Sequence, residues 1–388
     1  MTEVVIVSAV RSAVGRGKAD GALAGVHPVD LSSTVMKDAI TRAGIDPAIV
    51  EDVQWGCAMP EASQGLNHAR LAWLRGGLPV ETSAATVNRF CSSGLQSVAN
   101  AAQAIIAGMG DTVMAGGIEM MSQVPMSGYN ARLSPEITES YIGMGFTAER
   151  VAKRWEVTRE QQDQFAFDSQ QKAATALANK VFAPEIVPIP VKRYTWSGAD
   201  KTVTEVAFDT DECPRADTTL EGLAKLRPAF SATGTVTAGN ASPYSDGAAA
   251  VLVMSADRAK ALGLTPLARF VSFATGGVSP DIMGVGPIKA VPKALARAGL
   301  TLKDLKLIEF NEAFAAQALA VIKELDMDPS IINVNGGALA LGHPLGATGA
   351  KLTVQLVHEL RRRGGGYGMV TMCIGGGMGA AGIFEVLK

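Results

Sequence analysis

The 388 residues carry 35 basic and 37 acidic side chains, a formal net charge of -2, with 47% hydrophobic and 19% charged residues. Such a chain collapses around a large core, which excludes intrinsic disorder. Charges of both signs are mixed along it, so no basic field is available to hold nucleic acid or an anionic membrane surface.

The opening MTEVVIVSAVRSAVG has an acid where a secretion signal has basic residues and turns directly into a strand-like run. No later apolar run reaches the ~18 residues of a membrane span. Beyond the first strand, short β-branched runs alternate with longer stretches of helical period, the pattern of parallel strands joined by helical crossovers. AITRAGIDPAIVEDVQWG (39–56) predicts a helix, an Arg-Ala-Gly stop, a short linker and a strand. The next strand ends at TVN (86–88) and leads into RFCSSG, where Cys91 stands at a turn. After it Leu95, Val98, Ala102, Ile105 and Ile106 recur at helical spacing, and Gly108 occupies the stop position. Cys91 is thus expected at a helix N-terminus, where free N–H groups and the dipole lower a thiol pKa, although burial alone would raise it. A strand feeding a helix also puts this side chain at the carboxyl edge of the sheet, where open α/β folds bind ligands.

From about residue 119 to 239 the sequence changes character. It contains MMSQVPMSGYN, a charged helical run over 147–179 and a polar loop over 196–215. We expect an insertion into a first half whose last strand, AAAVLVMS (248–255), comes only afterwards. The expected units are 1–118 with 240–266, the insertion 119–239, and a second half 267–388.

The second half repeats the order of the first. ALARAGLTLKDLKLIEF (294–310) answers residues 39–56, and NVN (333–335) answers TVN, each followed by a small-residue turn, an amphipathic helix and a buried strand. The same order in both halves predicts a duplication, with two α/β units packed face to face and helices buried between their sheets.

The four cysteines, Cys57, Cys91, Cys213 and Cys373, show no CxxC spacing. A disulfide framework or structural zinc is therefore not expected, and a reducing cytoplasm is. Of the four histidines, His27, His68 and His358 have no accompanying motif and are read as structural or exposed. His343 lies in NGGALALGHPLGATGAKL, the turn that matches the one holding Cys91, so two related half-sites would bring a nucleophile and a base together. Cys373 closes a buried strand before three glycines, 375–377, whose bare N–H groups can approach a ligand oxygen. Asn311, in LIEFNEAFAAQALAVI, is expected to cap a helix with Glu312 in its first turn; at the same sheet edge its amide could also hold a water against a reacting carbonyl.

Taken together, VNRFCSSG, NEAFA, GHPLGATGA and CIGGGMGAA resemble the thiolases, acyltransferases that make or break 3-ketoacyl-CoA thioesters. The resemblance covers nearly the whole chain in the family's order and spacing. It implies an α/β fold of two βαβαβαββ halves in five α-β-α-β-α layers, with an inserted loop domain and assembly as a homodimer or homotetramer. Carried over by position, Cys91 becomes acylated, His343 activates it and Cys373 is the acid/base at the α-carbon. Asn311, through a water, joins His343 in one oxyanion hole, and the N–H groups of Cys91 and Gly375 form the other. CoA is a substrate, and neither a metal nor a redox cofactor is implied. Ser242 would lie along the pantetheine arm, Arg215 and Phe230 near the nucleotide, and Met144 with Met283 at the acyl end; Ala238 and Phe314 join this set.

Family members dedicated to acetoacetyl-CoA tend to carry a His before the residue matching Met144, whereas this chain has Gly143. The expectation is therefore a broader 3-ketoacyl-CoA thiolase of fatty-acid β-oxidation, with a partner from a β-oxidation complex as one option. The rival within the family is a biosynthetic acetyl-CoA acetyltransferase. A ketosynthase is disfavoured because that relative lacks the second thiol, and a non-catalytic acyl-CoA-binding protein because no catalytic residue is lost.

Overall fold

The computed structural model describes residues 2–125, 128, 132–197 and 200–388, so positions 126, 127, 129 and 130 of MMSQVPMSGYN lie outside it. The first half runs β1 (Val4–Ser12), α1 (Pro28–Ala43), β2 (Asp52–Cys57), α2 (His68–Arg75), β3 (Ser83–Val87), α3 (Ser93–Ile106) and β4 (Thr112–Met120). The intervening segment forms α4 (Met144–Arg154), α5 (Arg159–Ala178) and a hairpin of β5 (Ile189–Ser197) with β6 (Asp200–Phe208). Strand β7 (Ser245–Ser255) then returns to the first half. The second half is β8 (Ala268–Gly277), α6 (Pro287–Ala298), β9 (Leu305–Phe310), α7 (Ala315–Glu324), α8 (Leu345–Arg362), β10 (Gly366–Ile374) and β11 (Met378–Val386).

Local chemistry sets these boundaries. In α1, His27 accepts the Val29 N–H at the N-terminus, Pro28 occupies the first turn, and Gly44 ends the helix with φ 67°. Gly299 ends α6 with the same φ. In both halves a one-turn 3-10 helix and a strand follow, Pro47–Ile49 before β2 and Leu302–Asp304 before β9. The Arg-Ala-Gly repeat therefore corresponds to a repeated supersecondary unit.

The strands form one sheet in the order β9-β10-β11-β8-β1-β7-β4-β2-β3, with two-residue strands attached at β7 and β1. It is two half-sheets joined at a short seam, because β1 and β8 pair only through Val5 with Arg269 and Ile6 with Ala268. Helices α1 and α2 cover the outer face of the first half-sheet and α6 and α7 that of the second, while α3 and α8 pack against each other between them. This is the five-layered arrangement expected. Strands β1, β4 and β7 are buried along their whole length, as both-face coverage requires. Strand β7 runs antiparallel between β1 and β4, so the last strand of the first half does come from beyond the intervening segment.

That segment is tied down by charge. The Arg11 guanidinium on β1 bonds Glu185 at 2.6 Å and Asp211 at 2.7 and 2.9 Å, with all three side chains buried. Phe182 lies under the guanidinium, 5.1 Å away. Several expectations need correction. The helical run over 147–179 is two helices, α4 and α5, interrupted between Arg154 and Arg159. The polar loop over 196–215 begins inside the β5–β6 hairpin, whose strands pair from Ile189 with Phe208 to Ser197 with Asp200. The strand read at NVN is only an isolated bridge between Ile332 and Ile308, so β3 has no full counterpart in the second half. Among the described residues no helix is long and apolar enough to cross a membrane.

Candidate active site

Cys91 sits in a one-turn 3-10 helix, Phe90–Ser92, wedged between β3 and α3. Phe90 adopts φ 43°, a conformation that costs a non-glycine residue energy. Side chains hold the turn in place. Asn88 Oδ1 accepts from Phe90 N at 2.9 Å, Ser93 Oγ accepts from Arg89 N at 2.9 Å, and Ser93 Oγ donates to Phe90 O at 2.7 Å. The thiol is 7% exposed and packs among Ala58, Met121, Val124 and Leu345.

Here the structure reverses an electrostatic expectation. Burial pushes the Cys91 thiol up to about 12, against the N–H groups of Gly375 and of Cys91 itself, which face the sulfur. Removing a thiolate from water outweighs these two donors, so Cys91 rests as a neutral thiol. Cys373, fully enclosed near the end of β10, is also pushed well up, by burial and then by the neighbouring Cys91. Gly375 opens the β10–β11 turn, in which Gly376 and Gly377 take φ 78° and 84°. A Cβ on Gly375 would lie 3.7 Å from the Phe90 ring and 3.8 Å from Met144 Sδ.

His343 precedes α8, the helix equivalent to α3. Its backbone N–H donates to Ser245 Oγ at 3.2 Å, tying it to the start of β7. Its Nδ1 lies 2.6 Å from Thr348 Oγ1 and its Nε2 3.3 Å from Asn311 Nδ2. Burial, reinforced by the Lys351 charge, lowers the imidazole pKa to about 3. The ring is neutral at physiological pH, the state required of a base.

Asn311 is not a helix cap. Helix α7 starts at Ala315 with Phe314 in the cap position, and Asn311 lies upstream, its N–H donating to Thr371 O on β10 at 3.0 Å. Glu312 is likewise outside the first turn. It is a buried strut, accepting from Ser169 Oγ and Asn333 Nδ2 at 2.7 Å each and from Leu339 N at 3.3 Å.

The remaining candidates divide in two. Met144, Phe230, Met283 and Phe314 form one apolar cluster that includes Cys373. Edge-to-face rings extend it, Phe146 to Phe230 at 6.4 Å and Phe230 to Phe314 at 6.2 Å. Ser242 is fixed beside this cluster, because its N–H donates to Ala313 O at 3.0 Å and Ala241 bridges Phe314. Ala238 and Arg215 are exposed. Arg215 is anchored by its backbone N–H to Gln170 Oε1 at 2.8 Å, and among the described residues its guanidinium makes no hydrogen bond or ion pair.

Three supporting residues escaped the sequence reading. Thr348 and Ser245 hold His343. Buried Glu119 accepts from Ala58 N at 2.9 Å, Gln64 Nε2 at 2.7 Å and Gly346 N at 2.8 Å, fastening the end of β4 to the first turn of α8. The GATGA motif was a visible signal for Thr348, one helical turn beyond Pro344; the other two contacts are long-range. His68 and His358 are structural, bonding Ser32 Oγ at 2.8 Å and Ala9 O at 3.0 Å. Among the described residues no group of three or more His, Cys, Asp or Glu could hold a metal ion.

This arrangement has relatives. The thiolase N-terminal domain model matches residues 4–257 and the thiolase C-terminal domain model residues 264–386. The 3-ketoacyl-CoA thiolase of Bacillus subtilis (strain 168) is 54% identical over 392 residues, covering 100% of both chains. The acetyl-CoA acetyltransferase of Escherichia coli (strain K12) is 48% identical over 406 residues, again covering 100% of both. Among solved structures, the Bacillus anthracis acetyl-CoA acetyltransferase superposes with a TM-score of 0.90 at 42% identity, over 100% of this chain and 99% of that one.

Proposed function

The chain belongs to the thiolase family of acyltransferases, and from that premise we propose that it cleaves 3-ketoacyl-CoA with CoA, releasing acetyl-CoA and an acyl-CoA two carbons shorter. The observation that carries this reading is the neighbourhood of Cys91, where a second thiol and two backbone N–H groups surround the sulfur.

In this mechanism Cys91 Sγ attacks the 3-keto carbon while its proton passes to His343 Nε2. Burial raises the thiol and lowers the imidazole, which disfavours a preformed ion pair, so the proton moves as the sulfur attacks rather than before. Negative charge on the carbonyl oxygen is stabilised by Asn311 with a water at one position, joined by His343 once its Nε2 has taken the proton, and by the preorganised N–H groups of Cys91 and Gly375 at the other; removing one such donor costs about 3 kcal/mol of barrier. The C2–C3 bond breaks, Cys373 gives its proton to the departing enolate carbon, and the acyl group stays on Cys91. CoA then loses its thiol proton to the basic groups, attacks the thioester and restores the Cys91 thiol. Covalent catalysis divides one difficult cleavage into two easier transfers.

The segment between β4 and β7 is read as the loop domain that receives CoA, with Ser242 along the pantetheine arm, Arg215 and Ala238 toward the nucleotide, and Met144, Met283 and Phe314 around the acyl chain; Phe230, expected near the nucleotide, packs with this apolar cluster and is read with it instead. Gly143 favours substrates longer than acetoacetyl-CoA. It is exposed, and an added Cβ would meet only the Phe146 ring, at 3.4 Å, so the position has room that this chain leaves to the acyl group. The B. subtilis relative's name agrees with this reading; the acetyl-CoA acetyltransferase names favour condensation of two acetyl-CoA, the second reading. Turnover with CoA should be compared on acetoacetyl-CoA and a 3-keto C8 substrate, with mass spectrometry of the acylated peptide. The expected result is turnover of both with the acyl group on Cys91; activity confined to acetoacetyl-CoA selects the second reading, and an acyl group elsewhere rejects the mechanism.

A further inference from the structure

His343 is placed above as a base, but an imidazole is a base only at the nitrogen without a proton. Which nitrogen that is depends on the partner at the other. Thr348 Oγ1 has one hydrogen and two lone pairs. The hydroxyl lies 2.9 Å from Pro344 O, the carbonyl one turn back, and donates to it. Only lone pairs then remain for His343 Nδ1, 2.6 Å away, so Nδ1 must carry the proton. On the far side of the ring, an N–H of Asn311 Nδ2 faces Nε2 at 3.3 Å and requires a lone pair there. The Thr348 end fixes the tautomer, and the Asn311 amide as placed is satisfied by it.

We propose that Thr348 is a positioning residue that holds His343 as its Nδ1–H tautomer and so leaves Nε2 free to take the Cys91 proton. Thr348 is fully buried and His343 is 5% exposed, so bulk water does not substitute for a lost partner. The opposite tautomer would leave Nδ1 facing a hydroxyl whose hydrogen is already given to Pro344 O. The relay also accommodates the protonated ring. Thr348 still accepts from Nδ1–H, and the new Nε2–H is the hydrogen that the mechanism above directs at the carbonyl oxygen. The sequence hides this because the hydroxyl acts on a neighbour five residues away, through a helical turn that exists only once α8 is folded.

The proposal rests on the base role given to His343, and its test separates the two. Protein labelled with 15N-histidine contains four histidines, and a His343→Asn variant identifies the signals to follow. A long-range 1H–15N spectrum of the wild type should show the His343 proton on Nδ1; a proton on Nε2 overturns the proposal without any change at position 348. Thr348→Val keeps the shape and removes the hydroxyl. It should lose the Nδ1–H preference and slow acyl transfer from acyl-CoA to Cys91 by about 10- to 100-fold, with little change in KM, while Thr348→Ser restores both. Acylation of Thr348→Val at the wild-type rate also overturns it. If the wild type neither acylates nor turns over, the function is wrong, and the spectrum still decides the tautomer.

Discussion

At the scale of single residues, Cys91 is decided by two opposed effects. Donors at a helix N-terminus stabilise a thiolate by about 0.3–2 kcal/mol, whereas full burial can shift an ionisable group by about 3–5 pKa units in the opposite sense. Burial prevails, and the thiol rests near 12. The thiolate is the reactive form, so a raised pKa leaves little of it at neutral pH. Alkylation of Cys91 by iodoacetamide in the absence of acyl-CoA should therefore be slow at pH 7 and rise about tenfold per pH unit without levelling off before pH 10. Rates would be read by mass mapping of the Cys91 peptide, and a plateau between pH 6 and 8 would establish a preformed thiolate–imidazolium pair. Cys91, His343 and Cys373 could be picked from the sequence because each closes a strand or opens a helix beside glycines. Their protonation states could not be, because desolvation is set by neighbours such as Leu345 and Met121, which are distant in the chain.

At the scale of elements, the site depends on how closely α3 and α8 approach. A Cβ on Gly349 would lie 2.2 Å from Leu95 N, and one on Gly94 2.7 Å from Ala350 N, so glycine on both helices lets the backbones touch. Gly349→Ala should destabilise the fold by about 1–3 kcal/mol and lower activity by moving the helix that follows His343 and carries Thr348. Gly25→Ala, with no atom within 4 Å of the added Cβ, should stay within about 0.5 kcal/mol. Urea denaturation of both variants checks this, and equal midpoints would remove the close-approach argument. The helical periods and Arg-Ala-Gly stops made α1, α3 and α6 legible. The misreading at NVN has a physical cause: it rested on the match to TVN, but Asn is a poor strand former, and Asn333 turns with φ 44° and spends its amide on Phe310 and Glu312.

Over the whole molecule, duplication leaves one unbalanced edge. Among the described residues β3 pairs with no strand but β2, so it is an edge of the sheet. Beside it Leu66 and Val80 are 87% and 65% exposed. An open edge flanked by apolar side chains is a template for a second copy, and a two-fold axis there would pair β3 with itself in antiparallel fashion. Sedimentation equilibrium is expected to give twice the 40.2 kDa chain mass, and Val80→Glu to shift the balance toward monomer. A wild-type monomer, or a dimer indifferent to Val80→Glu, would place any assembly elsewhere.

The sequence by itself determined the duplicated α/β plan and the interruption of the first half, and it puts a cysteine turn and a histidine turn at matching places in the two halves. These are carried by local period, glycine stops and repeated order, which short stretches of chain can express. Only the tertiary structure decided that burial keeps Cys91 a neutral thiol, that Asn311 serves a ring instead of a helix, and that Thr348, Ser245 and Glu119 hold His343 and the first turn of α8. Each of those depends on which groups lose water and which donors meet across the α3–α8 layer, and such energies come into being only when distant segments are buried together.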